Sequence, residues 1–287
     1  QSAPLVSTLD VDPINGINNR QSPFKTIVAA VSSAQAGDTI LLLPGNYVES
    51  LISFTAPVHL IGPPDQSAAV QTILPLWSNT IGTIAVSNIT FNSTNLIIAG
   101  KRWRFERNNF STNVKINNGV VEFVNNVFTH ASGNAVSILD GSSAVLRNNT
   151  LTGNNVGVNA STNSDVQILN SIIIGNTSAD LVDVPPSAVS YSLTCAVSFA
   201  GTNGNISGDS RFVKPQNDDY HLQQDSLAVD AGDPQSNFSL EPASTIGRVN
   251  MGAYGNTAEA TIAKPGSLNT SQSGQASSSA QVDWLLL

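Results

Sequence analysis

FVNNVF, residues 123–128, decides how this chain folds, because its outline returns on either side: VSNITF at 86–91, FERNNF at 105–110, LRNNTL at 146–151 and ILNSII at 168–173. These copies start 19, 18, 23 and 22 residues apart. A repeat of about twenty residues, apolar at both ends, is too short for a pair of helices and suits one coil of a β-solenoid. The third position is polar in every copy: Asn88, Arg107, Asn125, Asn148 and Asn170. Asparagine tolerates a left-handed backbone, so it can turn the chain between two short strands. Stacked one above another, Asn88, Asn125, Asn148 and Asn170 are expected to hydrogen-bond their amides along the axis as an asparagine ladder. Asparagine is abundant, at 31 of 287 residues, but the flanking apolar positions keep the register too.

Working outward towards the N-terminus, residues 1–20 form an irregular or strand-like lead-in. QSPFKTIVAAVSSAQAGD follows and predicts a helix over about 22–36. Ser22 is its N-cap, Pro23 its first residue and Gly37 its stop, with Ile27, Ala30, Val31 and Ala34 on one face. DTILLLPGNYVES then reads as strand, turned by Pro44, Gly45 and Asn46. A solenoid exposes core and strand edges at its ends, so a short amphipathic helix before the first coil reads as a cap.

The stretch SPFKTIVAAVSSAQAGDTILLLPGNYVES resembles the opening of the pectin-lyase-like superfamily, where a capping helix precedes a GDTI-type strand and a PGxY turn. SLAVDAGDP from Ser226 and GRVNMGAYG from Gly247 are similar to a C-terminal signature of secreted bacterial β-helix proteins. Where that signature ends GAYE this chain has GAYG, with Asn250 at a position that is frequently acidic. The likeness covers roughly residues 10 to 260. It implies an all-β fold, a right-handed single-stranded parallel β-helix with a short N-terminal capping α-helix and an irregular C-terminal cap made of the last coils. It is specific for fold and poor for function, since the superfamily holds lyases, hydrolases, epimerases and adhesins. The domain reading is 1–255 for the β-helix and 256–287 for a Ser/Gly-rich linker and apolar tail.

Composition limits the function. The net charge is −8 and only 11% of residues are charged, which argues against a general nucleic-acid partner. No apolar stretch of about 18 residues offers a membrane span. The single cysteine, Cys195, excludes an intrachain disulfide, and its apolar surroundings suggest a buried small side chain. The chain begins at Gln1 without methionine or leader, as a mature secreted protein does, so an extracellular or cell-surface location is expected. Nine glycosylation sequons fit that location, at Asn88, Asn92, Asn109, Asn148, Asn159, Asn176, Asn205, Asn237 and Asn269.

The resemblance implies contact with long polysaccharides along a shallow axial groove, and the residues test which kind. A hydrolase needs two carboxylates at a set distance, but Glu106, Glu122, Asp140 and Asp165 are scattered over different coils. A lyase acting on a uronate glycan needs a base and a cation. Five of the twelve Lys and Arg residues, Lys101, Arg102, Arg104, Arg107 and Lys115, fall within fifteen positions. Strand alternation puts Arg102 and Arg104 on one face and Trp103 and Phe105 on the other.

Lys101, Arg102, Trp103 and Arg104 are therefore candidates for glycan contact, and Arg104, Arg107, His130 and Arg147 are weak catalytic candidates. The competing reading pairs the cations with Glu106 and Glu122 on an exterior face. Asp209, Asp218, Asp219, Asp225, Asp230 and Asp233, with His221, read as turn residues; calcium is the alternative, and no other metal or cofactor is expected. The tail residues Trp284, Leu285, Leu286 and Leu287 are too apolar to stay in water and should dock, either on their own chain or head-to-tail on the next subunit. Two functions follow: a non-catalytic extracellular structural or adhesive β-helix, self-assembling through its tail and contacting glycans, or a polysaccharide lyase.

Overall fold

The computed structural model describes residues 7–18, 23–72, 75–242 and 247–264. Strands that alternate inward and outward side chains wind into a parallel β-solenoid of about seven turns. Each coil contributes to three faces. On the first face, residues 84–87 and 102–106 stack under Val120–Val124, Ser143–Arg147, Asp165–Leu169 and Val189–Ser190, all parallel. The second face starts with the five-residue strands Gly45–Glu49 and Ala68–Thr72 and continues in two-residue strands, among them Thr90–Phe91, Asn109–Phe110, Val127–Phe128, Thr150–Leu151 and Ile172–Ile173. The third carries residues 95–100, Asn113–Asn117, Asn134–Ile138, Val156–Ala160 and Ala179–Val182.

Parallel register puts like residues on top of one another, so the core is made of columns. Phe91, Phe110 and Phe128 stack with centroids 5.1 and 4.6 Å apart, and Phe105 lies 5.5 Å from Phe123. Such pairs add about 0.5–1.5 kcal/mol each beyond their buried area.

Between the first and second faces the chain turns at the third repeat position. Asn88, Arg107, Asn125, Asn148 and Asn170 all have φ between 51° and 57°, the left-handed conformation the repeat requires. They stack in register, but the amide ladder does not run through them. It runs one residue later. Asn126 Oδ1 accepts the Asn108 N–H at 2.9 Å, Asn149 Oδ1 accepts the Asn126 N–H at 2.9 Å, and Ser171 and Ser192 continue the series with hydroxyls. The reason is the turn itself: a left-handed residue carries its side chain outside, and the next residue faces the core. A second ladder lies beyond the second face, from Ala131 through Asn154 and Asn176 to Asp180.

The cap helix spans Ile27–Ser33, later and shorter than expected, and buries Ile27, Ala30 and Val31. Pro23 lies before it, and Ser22 lies outside the described residues. Thr26 is the N-cap, its hydroxyl accepting the Ala29 N–H at 3.2 Å, and the buried Glu49 carboxylate accepts the Ile27 N–H at 2.7 Å. A carboxylate from the first coil therefore sets where the helix begins.

The C-terminal part does not stack as last coils. After the strand pair Phe212–Lys214 and Asp219–Leu222, the chain folds back over the outer side of the second face. Met251 and Leu222 cluster with the outward-facing Ile172 and with Leu193, and Ala253 and Tyr220 cover Val127. This layer includes residues 256–264, beyond the expected boundary at 255: Ala260 and Ala263 are buried and the Lys264 N–H donates to Gln224 O. Asn269 and the tail residues Trp284 to Leu287 lie outside the described residues.

Candidate functional site

The basic cluster sits on the first face. Alternation holds: Arg102 is exposed, Arg104 is half-exposed, and Phe105 is fully buried. Trp103 is only 2% exposed and its indole N–H donates to Ala99 O at 3.1 Å, so it cannot stack on a glycan. Strand register sets Arg104 beside Glu122 of the next coil. Its guanidinium hydrogen-bonds Glu122 Oε2 at 2.5 Å and Glu106 Oε2 at 3.0 Å, while Arg147 reaches Glu122 Oε1 at 3.8 Å. Burial works against the charge on Arg104, but the hydrogen bonds to Glu122 and Glu106 outweigh it and hold its pKa above the ordinary value. Lys101 and Arg102 stay exposed beside this network.

The remaining catalytic candidates are dispersed. His130 has a left-handed φ of 58°, contacts Thr129 Oγ1 through Nδ1 and lies 3.6 Å from Asp218. Arg107 stands at a corner, away from Arg104 and Arg147, which share Glu122. The acidic residues of the C-terminal part are separated: Asp225 pairs with Arg211, Asp219 with His221, and Asp209 accepts the Arg211 N–H. Among the described residues no three His, Cys, Asp or Glu side chains are placed to share a metal ion.

Cys195 is exposed rather than buried. It lies just past the last two-residue strand, Leu193–Thr194, where its N–H donates to Asp180 Oδ2 at 3.1 Å. Of the sequons, Asn148 and Asn205 are buried, their amides donating to Asn250 O and Val189 O, so neither is open to a glycan in the folded chain; Asn92 and Asn237 are exposed.

Sequence reasoning missed a groove of about 470 Å³ on the second face, where the C-terminal layer stops. Its floor is the corner row Asn88, Arg107 and Asn125 with Asn109. One wall is the loop of Asp65 and Gln66. Gln66 Nε2 donates to Arg107 O at 2.6 Å, its Oε1 accepts from Asn109 Nδ2 at 2.5 Å, and its carbonyl accepts from Thr90 Oγ1 at 3.1 Å. The other wall is Tyr254 with Glu259. The Tyr254 ring stacks on His221 at 3.7 Å, and His221 lies 2.7 Å from Asp219 and 3.3 Å from Glu259. Burial, with help from Asp219 and Glu259, pushes the Tyr254 hydroxyl up to about 12, so it stays a neutral phenol. The groove thus offers amides, one guanidinium, two carboxylates and an aromatic edge.

A family model described as a protein of unknown function, DUF1565, matches residues 12–184, more than half of the chain. The chain belongs to this family. No curated protein is significantly similar to this DUF1565 chain in sequence. Among solved structures, the crystal structure of the pectate lyase Pel9A matches with a TM-score of 0.48 and 13% identity, covering 86% of this chain and 96% of that one. A rhamnogalacturonan lyase matches with a TM-score of 0.27 and 12% identity, covering 66% and 68%.

Proposed function

We propose that this DUF1565 protein is an extracellular structural or adhesive β-helix that contacts polysaccharide on its outer faces without cleaving it. The observation that carries the reading is the state of Arg104. As an elimination base a guanidinium must give up its proton, yet Glu106 and Glu122 hold this one charged. Arg147, the other basic candidate on this face, leans on the same Glu122. Lys101 and Arg102 stay exposed beside the pair and are free to meet an anionic glycan as fixed charges.

The test is incubation with a panel of uronate-containing polysaccharides, following both binding and the absorbance of unsaturated chain ends. The reading expects salt-sensitive binding that Lys101→Ala with Arg102→Ala weakens, and no new chain ends. Sustained product formation abolished by Arg104→Ala would overturn it in favour of a lyase.

A further inference from the structure

His221 has a carboxylate oxygen at each ring nitrogen. Nδ1 lies 2.7 Å from Asp219 Oδ1, two residues back on the strand Asp219–Leu222, and Nε2 lies 3.3 Å from Glu259 Oε2, in the last stretch of the C-terminal layer. A neutral imidazole carries one N–H, so it can donate to only one of these oxygens and must turn a lone pair on the other. The imidazolium donates to both. The Tyr254 ring, a neutral phenol stacked 3.7 Å away, adds a cation–π attraction that only the charged ring receives. Burial works to raise the Asp219 carboxyl, but hydrogen bonds from the His221 ring and backbone, with the charges of His221 and Lys214, hold it below its ordinary value. Its oxygen therefore stays an acceptor in mild acid. The other charged and titratable neighbours are Asp218 and Tyr220 on the same strand and Lys214, opposite Asp219 on the paired strand. From the solenoid, His130 approaches Asp218 at 3.6 Å.

Glu259 belongs to the stretch 257–264, which is also held through backbone carbonyls. Thr261 Oγ1 donates to Leu222 O at 2.7 Å, Asn250 Nδ2 donates to Thr261 O at 2.8 Å, and the Lys264 N–H donates to Gln224 O at 3.1 Å. None of these three bonds gains or loses a proton between about pH 5 and 8, the range in which histidine changes charge; the Glu259 contact does. We propose that protonated His221 is a clasp that fastens residues 257–264 to the strand Asp219–Leu222, so that the Glu259 wall of the groove is held in mild acid and released as the pH rises. The direction follows from the contacts. With one N–H left, the shorter Asp219 contact keeps it, the Nε2 lone pair faces the Glu259 carboxylate, and that side chain moves into water. The stability that the clasp contributes is present at low pH and is lost as the imidazole gives up its proton. The Glu259 side chain is 69% exposed, so release loosens this stretch without unfolding the layer. This inference concerns a different face from the glycan proposal and does not depend on it.

The test is hydrogen exchange of the whole chain at about pH 5.5 and about pH 8, corrected for the intrinsic pH dependence of exchange. Protection of the Glu259, Ala260 and Lys264 amides, measured against a ladder amide such as Asn108, should fall about threefold at the higher pH. His221→Gln and Glu259→Gln should each remove this dependence on pH, whereas His130→Gln should keep it. Glu259→Gln changes an exposed side chain and keeps the fold, so the test stands even if His221→Gln does not fold. No pH response in the unaltered protein, an undiminished response in Glu259→Gln, or one abolished by His130→Gln would each overturn the proposal.

Discussion

Asn125 and Asn126 are chain neighbours of identical chemistry, and the solenoid uses them in opposite ways; Asn148 and Asn149 repeat the contrast one coil on. The first of each pair bends the backbone into the left-handed region and holds the C-terminal layer from outside. The second is fully buried and joins its coil to the next through backbone and amide groups. What separates them is not side-chain type but the turn of a single residue. Where the outer asparagine is half-buried, as at Asn125, water can replace a lost contact, whereas an inner one leaves dry donors and acceptors behind.

The sharpest way to break this contrast is Asn126→Ala. It strands the Asn108 N–H and Phe105 O, both of which Asn126 satisfies at 2.9 Å. At about 1–3 kcal/mol for each orphaned buried group, the expected loss is on the order of 3–5 kcal/mol in urea unfolding. Asn148→Ala should cost less, roughly 2 kcal/mol, split between the left-handed penalty for a Cβ-bearing residue and the lost hydrogen bond to Asn250 O. Asn148→Gly removes the first part and should recover about half. Equal losses at Asn126 and Asn148 would sink the division of labour.

A further comparison sets the buried Glu49 against these neutral amides, since it does a similar capping task with an ionisable group. Burial raises its pKa above the ordinary carboxylate value of 4.5, against the lowering effect of the Ile27 and Val28 N–H groups. The folded state therefore favours the protonated acid. The stability it contributes is complete below pH 4.5 and is lost as pH rises through the higher folded value. Thermal melts from pH 4 to 8 should show that decline in the unaltered protein and a flatter profile in Glu49→Gln, whose amide oxygen can still accept from the helix. The smallest effect is expected on the first face. Arg104 is 37% exposed on its side chain, so Arg104→Ala should shift stability by less than about 1 kcal/mol despite its two carboxylate partners.

Much of this architecture was legible because it is local. The left-handed corners follow from asparagine at a repeated position, and the inward Trp103 and Phe105 follow from strand alternation. Choosing between the two asparagines of a doublet was not legible: NN reads the same from either side, and the ladder passes into Ser171 and Ser192, which carry no asparagine at all. The helix start was misplaced because its fixing carboxylate, Glu49, is 22 residues away. The C-terminal layer had a signal that periodicity alone passes over. In VF at 127–128 and II at 172–173 both residues of a short strand are apolar, and a strand apolar on both sides is covered on both sides.

Repetition every twenty or so residues, with apolar positions in step, was enough by itself to determine a winding chain with columns of like side chains, because each coil needs only its neighbours to bury its inner surface. Only the tertiary structure decided which surface the described residues between 212 and 264 cover and that a groove remains beyond Tyr254. Its walls come from Gln66 and Glu259, nearly two hundred residues apart, and no local preference brings such positions together. They meet because apolar groups on the outer side of the second face must be shielded, and the covering layer ends at Asn125, before the corner row does.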